Sequence, residues 1–494
     1  PDKFKKFYSF LNSISQFDKI FYPFFILISL TIFYGYKLKL NKFILPICIL
    51  FLAIILRLSN INTFEPWGDE CYSIAISSPN LAFSNLYNDP GNPPFYYFLL
   101  RIVQNFSNSI LSFRLLSFIF SILGGVILYS FLYKKYSNKI ATIAFFLYAI
   151  NLPLIYFSQE IRSYSLQIFL SILILIHILK LSENSNIKNW VVYGILLVIS
   201  INTHYYQIIF AFTNFLYLFY IFAKNKRKKD IILLFCIYII AFSTFLPYYI
   251  ITAHKKALLD TNFNSYIEPL NLNLIKKYIF YIFSGIVPLI LTIIFWFKKP
   301  NLNLKNKEHY NYYFWTIVSV LFVVIMLSLI LRPIYAKHYT LFLIPFILII
   351  LSTIFSYEYK NKWLILLFAF CILAMQNYSK NSFINLRYVT ANNYNVFKLA
   401  QKTKSNDNNI IVITKASDVF IQKLNNYTEF KMIPIPNKLI SYDYIKKYIE
   451  KLKKEDKKVI IFTLLVEHNL VNIENKNYTC YFNSSRDLCI WKIE

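Results

Sequence analysis

Three carboxylates fall within the six residues Glu65-Pro66-Trp67-Gly68-Asp69-Glu70, directly after an apolar run. Crowding acids at a hydrocarbon boundary carries a desolvation and repulsion cost. Two readings stay open. The acids cap the helix that follows, with Asp69 as N-cap, or one of them takes a proton from a substrate. A fourth acid, Asp89, lies in Asn88-Asp89-Pro90-Gly91-Asn92-Pro93-Pro94-Phe95, where the paired prolines stiffen the backbone and open a helix. It is an ordinary turn acid or a second carboxylate held opposite the first.

Cations follow. Arg162 in Ser158-Gln159-Glu160-Ile161-Arg162-Ser163-Tyr164 stands between two apolar runs. Its partner is Glu160, or a lipid phosphate held in the planar guanidinium fork, with Tyr164 beside the sugar or phosphate. His204-Tyr205-Tyr206-Gln207 reads as an interfacial aromatic belt or a substrate contact. Arg332-Pro333-Ile334-Tyr335-Ala336-Lys337-His338-Tyr339 gathers Arg332, Lys337 and His338 into a patch for a phosphate head group or for bulk anionic lipid.

The elements around these residues are apolar. Of 494 residues, 57% are hydrophobic, 19% are aromatic and only 7 are glycine. A soluble core cannot hide that excess. Runs long enough to cross a hydrocarbon layer of roughly 30 Å are predicted near 20–36, 43–59, 110–133, 140–157, 164–180, 190–203, 205–223, 231–251, 278–297, 312–331, 339–356 and 363–377. The fold class expected is an all-α polytopic membrane domain, residues 1–377 with about 12 transmembrane helices, followed by a small C-terminal α/β extracytoplasmic domain, residues 378–494. Strands at 410–415 and 458–465 and a Lys-rich helix at 438–454 support the second part. Residues 94–106 read as an interfacial helix.

Lys and Arg concentrate in alternate short connections: 37–42, 134–139, 180–188, 224–230, 298–309 and 358–362. Positive loops stay cytoplasmic, so the loop 60–109, the connections at 158–163, 204, 252–277 and 332–338, and the C-terminal domain are expected outside, in the periplasm of a cell with an inner membrane. No cleavable signal peptide is expected in the first apolar run, near Phe21. The net charge of +28 reflects those loops and attraction to membrane lipids. Nucleic acid, which needs a basic soluble face with stacking aromatics, is not an expected partner. Cys480 and Cys489 flank a turn at Asn483-Ser484-Ser485 and are bridgeable in an oxidising compartment; no cysteine pair has metal-ligand spacing.

The order of these motifs resembles the C-type superfamily of membrane glycosyltransferases. The likeness is to the protein O-mannosyltransferases, the lipid A aminoarabinose transferase and the transferases of lipopolysaccharide cores. It runs from about residue 43 to 378. It implies an inverting transfer from a polyprenyl-phosphate-linked sugar to a hydroxyl acceptor on a lipid, glycan or protein. The family's Asp-Glu pair matches Asp69-Glu70, which makes Asp69 the candidate base with Glu70 in support. Its Asp-x-His-Pro-Pro matches Asp89 to Pro94, with Asn92 in the histidine's place and a glycine interposed. Asp89 and Asn92 are thus acceptor or metal candidates, and no cofactor is certain while a divalent metal ion stays open. Its Arg-x-Tyr matches Arg162-Ser163-Tyr164, and its His-Tyr matches His204-Tyr205. The late segment matches Arg332 to Tyr339. Donor phosphate would lie on Arg162, Tyr164, Arg332, Lys337 and His338, and sugar or donor would contact His204, Tyr205 and Tyr335. A glycan ligase using a lipid diphosphate, or a lipid or solute transporter, are the alternatives. A transporter would be expected to place ionisable groups at mid-bilayer, where His177 is almost the only one.

Overall fold

The computed structural model describes residues 44–357, apart from breaks at 60, 63–65, 67, 88, 90, 264–270, 284–288, 291, 294–303, 331–333 and 335–337, together with five strands beyond. The expected helices at 20–36, 363–377 and 438–454 lie outside the described residues. The chain divides into two units, Pro1–Ile61 with Pro79–Tyr378, and Asn62–Ser78 with Ser379–Glu494.

The first unit is helical: α1 Ile44–Leu58, α3 Phe95–Phe106, α4 Ile110–Lys135, α5 Asn138–Ile150, α6 Leu152–Phe157, α7 Tyr164–Glu183, α8 Ile187–Ile201, α9 Tyr205–Lys224, α10 Lys228–Phe263, α11 Leu272–Phe283, α12 Leu304–Ile330 and α13 Ile344–Tyr357. Five helices among the described residues are long and apolar enough to cross a membrane: Ile110–Lys135, Tyr164–Glu183, Tyr205–Lys224, Lys228–Thr252 and Lys307–Ile330. Four shorter apolar helices, α1, α5, α8 and the Leu341–Ser356 segment, accompany them.

The core sits where α7 packs on α4 and α8, and where α5 packs on α4, α1 and α13. Every residue of α5 from Ile140 to Ile150 is buried. Helices this apolar have no hydrophobic drive toward each other in lipid, so close packing decides their neighbours. Gly124 and Gly125 are where α4 meets α5. A Cβ on Gly125 would stand 2.9 Å from the Tyr148 ring, and one on Gly124 2.9 Å from the Tyr148 hydroxyl.

Two local differences from expectation have clear causes. The span expected at 140–157 breaks at Asn151, whose extended backbone and side-chain oxygen cap α6 by accepting from the Leu154 N–H, with Pro153 in its first turn. The connection expected at 252–277 begins as helix, because α10 runs on through Pro247 to Phe263.

Arg57, inside α1, ties three helices together. Its Nε donates to Ser121 Oγ at 2.8 Å, its Nη1 to the Ala149 carbonyl at 3.0 Å and its Nη2 to the Tyr148 carbonyl at 3.0 Å. Those carbonyls lie at the end of α5, where no further turn of helix serves them.

In the second unit, α2 spans Gly68–Ile76. Strands β1 Ile411–Thr414 and β2 Lys431–Pro434 pair in parallel, and β3 Val459–Leu464, β4 Tyr478–Tyr481 and β5 Leu488–Ile493 form an antiparallel sheet in the order β3-β5-β4. The β4–β5 register opposes Cys480 to Cys489. Directly opposed residues in such a ladder have Cα atoms about 4.5–5.5 Å apart, a separation that a disulfide spans.

Replacing Arg57 with Met strips donors from two buried carbonyls and a buried hydroxyl. The expected cost is about 3 kcal/mol, seen as a lower thermal midpoint in detergent, whereas Lys134→Gln at the far end of α4 should leave the midpoint within a degree or so.

Candidate functional site

Alternate connections of the first unit meet in two clusters. One joins Lys135, Glu183 and His309: Lys135 Nζ pairs with Glu183 Oε1, and His309 Nε2 lies 2.8 Å from the same oxygen. Tyr136 adds its hydroxyl, 3.1 Å from His309 Nδ1 and 2.8 Å from the Tyr313 hydroxyl. These belong to the ends expected to be cytoplasmic.

The other cluster carries the residues singled out for chemistry. Asp89 is buried between a 3₁₀ turn at Phe83–Tyr87 and α3. Its Oδ1 accepts from the Gly91 N–H at 2.7 Å. Its Oδ2 accepts from Asn92 Nδ2 at 3.2 Å and from the Tyr97 hydroxyl at 2.5 Å. Gly91 leaves room for this turn, since a Cβ there would sit 3.2 Å from Oδ1. The Asp89 carbonyl accepts from the Tyr248 hydroxyl at 2.7 Å, and Tyr248 in turn accepts from the Tyr205 hydroxyl at 2.9 Å. Two helices, α9 and α10, thereby hold the Asp89 loop from behind.

Arg162 is buried at the start of α7, with its Nη1 3.5 Å from the Tyr97 hydroxyl. Tyr97 thus stands between carboxylate and guanidinium. The Arg162 carbonyl accepts from Ser117 Oγ, and Ser117 meets the Tyr96 hydroxyl at 3.2 Å.

Rings close the space beyond Arg162. Tyr164 lies 5.1 Å from His338 and 6.2 Å from His204, centroid to centroid. Tyr339 lies 4.4 Å from His338, 5.0 Å from His204 and 5.1 Å from Tyr206. Tyr206 donates to the Ile334 carbonyl, which fixes the late segment against α9. His204 caps α9 by accepting at Nδ1 from the Tyr206 N–H at 3.1 Å. Burial, then the Arg162 charge, then His338, hold its imidazole down to about 3. It therefore stays neutral at ordinary pH.

Of the sequence candidates, the first unit brings together Asp89, Asn92, Arg162, Tyr164, His204, Tyr205 and His338. Arg332, Tyr335 and Lys337 lie outside the described residues. Asp69 and Glu70 belong to the second unit, both in the first turn of α2 rather than at an N-cap, with Asp69 half-buried and Glu70 buried. The Asp69 carbonyl accepts from Ser73 Oγ at 2.7 Å. Sequence reasoning missed Tyr97 and Tyr248. Among the described residues no three of His, Cys, Asp and Glu group as a metal ion requires. The Asp89 carboxylate is met by three hydrogen-bond donors, an arrangement that does not suit a cation there.

The fold has solved counterparts. Two crystal structures of ArnT from Cupriavidus metallidurans superpose along nearly the whole chain. The form bound to undecaprenyl phosphate gives a TM-score of 0.57 at 9% identity, and the apo form 0.59 at 8% identity. Each match covers 90% of this chain and 97% of that one. Residues 91–251 also match the family model for dolichyl-phosphate-mannose-protein mannosyltransferase. This chain resembles the C-type membrane glycosyltransferases. The family match begins at Gly91 and takes in Arg162, Tyr164, His204 and Tyr205. The archaeal oligosaccharyltransferase AglB from Archaeoglobus fulgidus gives a TM-score of 0.44 at 12% identity over 91% of this chain and 70% of that chain. No curated protein gave a match.

The depressed His204 fixes a pH dependence. Unfolded, the imidazole takes a proton near 6.5; folded, it resists down to about 3. The unfolded state then binds more protons, so this contribution to stability is whole above about 6.5 and shrinks as pH falls toward 3. The thermal midpoint in detergent should fall between pH 7 and 5, and His204→Gln should flatten that fall.

Proposed function

We propose that this chain transfers a sugar from a polyprenyl-phosphate donor to a hydroxyl acceptor at the non-cytoplasmic face of a membrane. The observation that carries the reading is the convergence of buried Arg162 with Tyr164, His204, His338 and Tyr339 at the ends of apolar, membrane-length helices. ArnT, whose fold the chain shares, has been crystallised with undecaprenyl phosphate.

In the donor the phosphate is a diester with one negative charge. When the bond from the sugar's anomeric carbon to the phosphate oxygen breaks, that oxygen keeps the electron pair and the departing monoester carries a second charge. A preorganised cation helps most where charge develops, and buried Arg162 supplies one. Tyr97 receives the guanidinium on one side and donates to Asp89 on the other, so Asp89 orients the pair. His204 and His338 with Tyr164 form walls against which a sugar ring could stack. Neutral His204 offers its Nε2 to a hydroxyl. Arg332, Lys337 and Tyr335 are assigned to the same donor phosphate and sugar.

Asp69 is assigned as base, taking the acceptor hydroxyl's proton as its oxygen attacks the anomeric carbon opposite the leaving phosphate. Glu70 supports it. One inversion results. We further assign the unit carrying Asp69 and the strands to the periplasmic side, where Cys480 and Cys489 would be bridged.

Transfer from a polyprenyl-phosphate sugar, measured on purified protein, tests the assignment. Asp69→Asn should lower kcat by about 10²-fold or more. Arg162→Ala should do the same, with Arg162→Lys restoring part of it. Undiminished activity in Asp69→Asn and Arg162→Ala together would end this reading.

A further inference from the structure

At the other end of the helices, two turns are fastened to each other. Arg227 follows α9. Its Nη1 donates to the Ser182 carbonyl and its Nη2 to the Leu181 carbonyl, both at 2.9 Å, in the last turn of α7. Its Nε donates to Asp230 Oδ2 at 2.6 Å, its N–H to the Phe222 carbonyl at 2.8 Å, and its guanidinium lies 4.4 Å from the Phe222 ring. Trp190 Nε1 reaches the other oxygen of Asp230 at 3.3 Å, which ties in α8. One cation and one acid are spent on this clamp.

Around the clamp, Lys180, Lys188, Lys224, Lys226, Lys228 and Lys229 are all exposed. Lys226 sits at φ 54°, in the left-handed region, which turns the chain sharply between α9 and α10. The acids of these turns are committed elsewhere, Asp230 to Arg227 and Glu183 to Lys135 and His309. Within two turns of the lysines the same helices expose apolar side chains: Ile187 at 70%, Tyr220 at 60% and Ile232 at 63%. A chain that needed these lysines only for orientation would require charge but no geometry. Here the two turns are locked, and the cations border exposed apolar side chains of the same helices.

We propose that the clamped turns 180–189 and 224–229 form a binding surface for anionic lipid head groups. The lysines bind the phosphates, while the exposed apolar residues below them contact the acyl chains. The chemistry is lipid phosphate rather than a soluble polyanion, because the lysines adjoin exposed apolar side chains that a soluble anion would leave uncovered. This surface does not depend on the glycosyl-transfer reading.

The full chain, in nanodiscs containing phosphatidylcholine with a minor share of phosphatidylglycerol, is to be released into detergent and its retained lipids counted by native mass spectrometry. Wild type should retain phosphatidylglycerol well above its share. The variant K224Q/K226Q/K228Q/K229Q, which keeps the clamp, should lose about tenfold of that enrichment. R227Q keeps all six lysines and should lose more enrichment than K307Q, which removes one charge outside the surface. Thermal midpoints of all variants identify any that fail to fold, and the four-lysine variant then decides alone. Enrichment unchanged in that variant would overturn the proposal. So would equal losses in R227Q and K307Q, which would mark diffuse attraction. Displacement of the retained lipid by inorganic pyrophosphate would assign the surface to a soluble anion and overturn it too.

Discussion

A guanidinium removed from water must be met by other groups, and that demand organises this molecule. Arg162 is buried in the connection before α7. An isolated charge there would cost far more than the protein's net stability. Tyr97 meets it, Asp89 holds Tyr97, and Tyr248 with Tyr205 holds the Asp89 loop. Four elements far apart in sequence are thereby set against one cation. Under the proposed reading, a donor phosphate would meet a guanidinium already held in place.

The same demand recurs at the clamps. Arg57 takes the orphan carbonyls at the end of α5, and Arg227 takes those at the end of α7. In lipid, where apolar contact alone does not choose a neighbour, such bonds do. Helix α7 joins the two polar ends: Tyr164 opens it in the aromatic walls of the site, and Glu183 closes it beside Lys135 and His309.

The helices were legible because each run of apolar residues has few interruptions, and length against bilayer thickness is a strong constraint. Asn151 was not, since apolar residues flank it and its capping role shows only in three dimensions. Arg162, Tyr164, His204 and His338 could be grouped because alternate connections share an end. Tyr97 could not be singled out among 41 tyrosines. Arg57 carried the signal that marked Arg162, an arginine at an expected outer end, but it sat inside an apolar run. Asn92 stands where a histidine was expected from the resemblance, and its amide serves the Asp89 turn.

Glycosyl transfer from a lipid donor at the outer face requires the Arg162 end to lie on the non-cytoplasmic side of the membrane. Single cysteines at Ser84 and at Asn225, both exposed and on connections of opposite expected sidedness, placed in a chain freed of its six native cysteines, report it through a membrane-impermeant maleimide on intact spheroplasts. Labelling at position 84 in intact spheroplasts, with position 225 labelled only after permeabilisation, is the predicted result. Labelling of 225 but not 84, or of both alike before permeabilisation, would contradict it.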